Sequence, residues 1–155
     1  MRVMICTAML AALCSPVAAQ VAGAEACLAA ALKDGSDPTL CVEPSDAACM
    51  DSAPETPAVS TACFAETRAQ WGAAIGKRMQ SLPDDTATTV ARIEAKYDVI
   101  GGMVQCDRIE ALAKAASDLD GPQIALQKER CLSRATALTY VRLFARTHSA
   151  DPASD

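Results

Sequence analysis

Few residues in this chain are of a type that does chemistry: eight cysteines, one histidine at His148, and the acidic pair Asp84-Asp85. A Ser-His-Asp or Cys-His arrangement would have to use His148. The sequence places that residue in a polar tail, residues 148–155, where a fixed catalytic geometry is hard to hold. Asp84-Asp85 follow Pro83 ahead of a helical stretch, where carboxylates favour the positive end of the helix dipole. They read as a solvated helix lead-in rather than an acid/base pair or a metal site. No catalytic residue, metal ligand or cofactor-binding residue is expected.

The cysteines say more. Residues 1–19 open with Arg2, continue through an apolar run to Leu13, and end in Pro16 and Val17-Ala18-Ala19. That is the plan of a secretory signal peptide, with cleavage expected after Ala19. The apolar run is about a dozen residues, short of the roughly 20 that span a membrane. Bulky Leu13 precedes Cys14 where lipid-anchored precursors have a small residue, so the mature protein is read as soluble. Cleavage leaves Cys27, Cys41, Cys49, Cys63, Cys106 and Cys131. An even number in a short exported chain reads as three disulfides. Zinc sites usually contain a close cysteine pair, and seven residues separate even Cys41 from Cys49. Six cysteines allow 15 connectivities, and sequence alone does not choose among them. Short loops close at lower entropic cost, which favours the sequential pairs Cys27–Cys41, Cys49–Cys63 and Cys106–Cys131.

Removing residues 1–19 takes away Arg2 and no acid, leaving 13 Lys+Arg against 19 Asp+Glu, a net charge of −6. That excludes a phosphate-backbone binder, which needs clustered cations, and suits encounter with a basic partner.

The elements that must carry the cysteines are helical. The mature chain is rich in Ala and has no alternating strand pattern of useful length. Val21 to Lys33 reads as a first helix, closed by Asp34-Gly35-Ser36-Asp37-Pro38. Residues 42–59 hold Pro44, Pro54 and Pro57 and read as loops, with at most one helical turn around Ala47–Met50. Trp71, Ile75, Met79 and Leu82 share one face of a long helix. Val90, Ile93, Tyr97, Ile100 and Val104 mark a second, continuing through Ile109 and Leu112. Pro122 opens a third, with Cys131, Ala135, Leu138, Val141 and Phe144 inward and Lys128, Arg130 and Arg134 outward. The expected fold is all-α: a small disulfide-stapled antiparallel bundle of three long helices plus a short N-terminal helix. The domain spans residues 20–147. Trp71 is expected in the core, the alternative being an exposed anchor for a partner. Gly101-Gly102 is read as a close-packing site rather than a hinge.

The frame of residues 49–144 resembles the LprI-like lysozyme-inhibitor family of bacterial exported proteins. The matching positions are Cys49 and Thr56, then Cys63, Glu66, Trp71 and Ile75. Gln105-Cys106-Asp107, Gly121, Cys131-Leu132 and Thr136-Ala137 follow. Gly72, Gly76, Gly102-Met103 and Thr139 stand where family members carry polar or charged residues. The resemblance implies that Cys27 and Cys41 form an added N-terminal pair. It also implies a periplasmic or secreted bacterial protein, not an enzyme, that occludes a basic lysozyme or another cell-wall hydrolase. The Pro-rich loop 51–60 or the turn at Leu82–Asp85 would be the plug. The alternative is a structural or interaction protein of the bacterial envelope.

Overall fold

The computed structural model describes residues 16–51 and 56–148. The candidate signal residues 1–15, loop residues 52–55 and tail residues 149–155 lie outside the described residues. The fold is all-α, with no strand among the described residues. Helix α1 covers Pro16–Asp34, and a 3-10 helix covers Pro38–Val42. Then come α2 (Glu43–Asp51), α3 (Pro57–Ser81), α4 (Thr86–Ala116) and α5 (Gly121–Thr147).

Local chemistry explains most of these boundaries. Gly35 ends α1 at a φ of 69°, the left-handed conformation that glycine adopts without strain. The Ser36 amide closes that end by donating to the Ala31 carbonyl at 3.0 Å. Asp85 caps α4 by accepting from the Thr88 amide at 2.7 Å. Asp120 caps α5 in a reciprocal box with Gln123, and Pro122 sits in the first turn, where its missing N–H costs nothing.

Two expectations fail here. The N-terminal helix is 19 residues long rather than short. Residues 43–51 form a continuous helix where the prolines suggested loops. Pro44 lies in the first turn of α2 and Pro57 is the first residue of α3, both positions where proline starts a helix instead of breaking one.

Helix α5 is the axis of the fold, packing along both α3 and α4, which scarcely touch each other. It runs parallel to α3, not antiparallel as expected: Arg68 meets Glu129 at one end and Arg78 meets Thr147 at the other. It runs antiparallel to α4, where Glu94 and Asp98 meet Arg146 while Glu110 meets Lys128. Helix α1 and the 3-10 helix cover the remaining side of α3 and α5. The core gathers Leu28, Val42, Trp71, Ile75, Tyr140, Val141, Leu143 and Phe144, with Ala24, Ala31, Ala91, Ala95 and Ala137 filling the spaces between elements. Alanine buries little apolar area, so cross-links supply what the core lacks. The disulfides join Cys27 to Cys41, Cys49 to Cys63 and Cys106 to Cys131, across sequence separations of 14, 14 and 25 residues. The third fastens α4 to α5.

Gly102 shows how closely those two helices approach. A Cβ placed there would lie 2.8 Å from the Cβ of Ala135, whereas one on Gly101 would meet nothing within 4 Å. Gly101→Ala is therefore expected to raise stability by up to about 1 kcal/mol through helix propensity. Gly102→Ala is expected to lower it, by up to about 2 kcal/mol once propensity offsets part of the overpacking. Urea melts of the two variants check this; a gain in both would mean that no close contact exists.

Candidate functional site

The three chemical candidates are all accounted for structurally. The six described cysteines are oxidised, so no thiolate nucleophile remains among them. Asp85 is the α4 cap, and exposed Asp84 accepts from Arg92 at 3.2 Å. Arg92 also donates to the carbonyls of Met79 and Leu82, which clamps the turn between α3 and α4. His148 does not lie in a free tail. It closes the end of α5, half-buried and stacked on Phe144 at 5.1 Å with 19° between the rings. The Arg78 guanidinium also lies over the Phe144 ring, 4.7 Å from its centroid. Among the described residues no group of three or more His, Cys, Asp or Glu side chains could hold a metal ion. No helix among them is long and apolar enough to cross a membrane.

Trp71 belongs to the core. It is fully buried, with its ring 5.5 Å from that of Tyr140. Tyr140 in turn donates to the Glu25 carboxylate at 2.5 Å and so ties α1 to α5. Burial pushes the Tyr140 phenol well above its ordinary range, and the hydrogen bond to Glu25 adds to this, so the hydroxyl stays a donor.

The cations of α5 read as outward-facing in fact bind neighbouring helices. Lys128 bridges Asp107 at 2.9 Å and Glu110 at 2.6 Å on α4. Arg130 and Arg134 reach Asp46 and Glu43 on α2 at 2.7 and 2.8 Å. Hydrogen bonds from Lys114 and then Lys128 push the Glu110 carboxyl down to about 2, and its partners push Lys128 up to about 12. A carboxyl depressed in the folded state contributes stability at pH above its ordinary 4.5 and loses it as pH falls toward 2. A raised lysine loses its contribution only as pH climbs from 10.5 toward 12. Acid titration of the melting temperature is thus expected to fall between these two carboxyl limits, with a smaller drop in Glu110→Gln. An unchanged drop in that variant would show that the bridge carries no stability.

The largest departure from expectation lies on α4. Val90, Ile93, Tyr97, Ile100 and Val104, with the periodicity of a core face, are 44–65% exposed. Met103, Ile109 and Leu112 are 41–55% exposed. The face toward α5 consists instead of Thr88, Ala91, Ala95 and Cys106, together with half-buried Val99 and Gly102. The cause is steric: only small side chains let α4 come as near to α5 as Gly102 and Ala135 require. A sequence signal did exist. Cys106 must face α5 to reach Cys131, and it lies nearly half a turn from Val104 and a third of a turn from Ile100, which places those residues outside.

Between α3 and α4, over α5, a groove of about 310 Å³ is lined by Ala69, Gly72, Val99, Met103, Leu132 and Thr136, among others. The Thr136 hydroxyl is spent on the Leu132 carbonyl, and Arg68 at the rim is bound to Glu129. The groove offers apolar surface without convergent polar groups, which suits a side chain of a protein partner better than a reacting substrate.

No protein-family model, curated protein or solved structure matches this chain.

Proposed function

We propose that this chain is a non-enzymatic interaction protein of an exported, oxidising compartment, working by presenting a rigid helical surface. The carrying observation is the outward face of α4, a run of large apolar side chains held in the open on a disulfide-fastened helix. Isolated exposed apolar residues are ordinary, whereas a contiguous patch this long marks a contact surface. In this reading the three long helices and α1 act as one stapled frame, released to the periplasm or outside the cell after removal of residues 1–19.

The resemblance to lysozyme inhibitors names the first partner to try, a basic lysozyme or another cell-wall hydrolase. The mechanism is then occlusion of a cleft, with the −6 charge of the mature chain speeding encounter. Of the two plugs considered, residues 52–55 of the loop lie outside the described residues. The turn at Leu82–Asp85 is braced by Arg92, which fits a projection that must keep its shape. A lysis assay with purified oxidised protein tests this. Inhibition at micromolar concentration that is lost on Asp84→Arg supports occlusion by that turn. Absence of inhibition across lysozyme types leaves the second reading, a structural or interaction protein of the bacterial envelope. The character of the α4 face favours the latter, since it is apolar where a basic enzyme would call for an acidic one.

A further inference from the structure

We propose that the outward face of α4 binds a second copy of this chain, giving an antiparallel two-fold dimer whose axis crosses α4 near Gly101. The proposal rests on reading that face as an interaction surface and adds the identity of its partner.

Three observations support a second copy. The first is the pattern. Val90, Ile93, Tyr97, Ile100 and Val104 step by three, four, three and four residues, the spacing of a seam between two helices. The second is area. Those five with Leu112 are each about half exposed. At roughly 200 Å² for a whole large side chain, they open about 600 Å² per copy, or about 1,200 Å² across a pair, at the lower edge of the range of stable interfaces.

The third is charge. Exposed Glu94 and Arg108 border the seam on one flank, and exposed Lys96 and Asp107 border it on the other. When two helices pack antiparallel, each flank meets its own counterpart running the other way. Glu94 then faces Arg108 of the second copy, and Lys96 faces Asp107. The pairings are centred at 101 and 101.5, within a residue of each other, so one register satisfies both flanks. Glu94 and Asp107 already hold Arg146 and Lys128 at 2.9 Å. Lys96 and Arg108 have no ion-pair partner among the described residues. The new pairs would extend two bridges and employ two idle cations. Exposed Gly101 adds room at the axis, where its missing side chain allows the helices to come close.

Sedimentation of the oxidised mature chain, from low micromolar to several hundred micromolar, is expected to show reversible growth to twice the monomer mass. Tyr97→Asp is expected to raise the dissociation constant by about 30-fold or more, leaving the circular dichroism unchanged because the side chain makes no core contact. Orientation is read by cross-linking. Gly101→Cys lies at the axis and is expected to join two copies. The Cys of Ala111→Cys would stand about 30 Å from its twin in the antiparallel pair and is expected not to. A monomer at every concentration, a dimer insensitive to Tyr97→Asp, or cross-linking through Ala111→Cys would overturn the proposal. A monomer that binds a hydrolase and loses that binding on Tyr97→Asp would refute the dimer while leaving the interaction reading intact.

Discussion

Replacing Trp71 with Ala is expected to lower folding stability by about 3–5 kcal/mol, a large share of the 5–15 kcal/mol typical of a domain. The indole is fully buried and lies between α3 and α5, its ring tilted against that of Tyr140, which itself holds α1 through Glu25. The cluster it belongs to is filled out by Ala24, Ala31 and Ala137, too small to take up the space it would leave. Trp71→Phe is expected to cost much less. It keeps most of the ring, and it removes an indole N–H that is buried without an acceptor among the described residues. Urea unfolding at equilibrium checks both. A loss below about 1.5 kcal/mol for Trp71→Ala would mean that the aromatic cluster is not the centre of the core.

Loss of the Cys106–Cys131 bridge is expected to have the next largest effect and a more local one. For a loop of 25 residues the chain-entropy relation gives about 3.5 kcal/mol. The bridges that close 14-residue loops are worth about 3 kcal/mol each by the same relation. What otherwise holds α4 is a face of small residues and a row of ion pairs with α5, mostly at the surface, where each such pair is worth about 0–1 kcal/mol. In the Cys106→Ala/Cys131→Ala variant, α4 should therefore open before α3 and α5 do. Hydrogen exchange is expected to show faster exchange across residues 86–116 than across 57–81. Uniform acceleration along the chain would show that α4 is no looser than the rest.

The sequence was most legible where one residue type carries one physical meaning. Gly35, Asp85 and Pro122 announce helix ends because their conformations or side chains suit no other place so well. Trp71 and Ile75 lie on the buried face that their spacing implies. Prolines misled the reading of residues 43–51, because Pro44 serves as a starter for α2 and only its position in the turn distinguishes that from a break.

The second failure is more instructive. Periodicity located α4 and not its direction, because a stripe of large apolar residues reads the same whether it faces this chain or a partner. Apolar content alone favours the wrong side. The deciding information lay in the opposite stripe of Ala91, Ala95, Gly102 and Cys106, small residues that a close helix pair needs, and in a cysteine already assigned to α5. His148 departs from its reading as a tail residue, since it stacks on Phe144 at the end of α5, while Asp85 caps α4 as its place ahead of that helix implies.

The chain has two tyrosines, and they test the central claim against each other. Tyr97 stands on the outward face of α4 at 65% exposure, and Tyr140 is fully buried in the core. Nitration of the native, oxidised protein in dilute solution is predicted to modify Tyr97 and spare Tyr140. As the protein is concentrated into the dimer range, Tyr97 is predicted to become protected. A Tyr97 that resists modification even when dilute would contradict an exposed α4 face. A Tyr97 that reacts equally at every concentration would contradict its burial against a second copy.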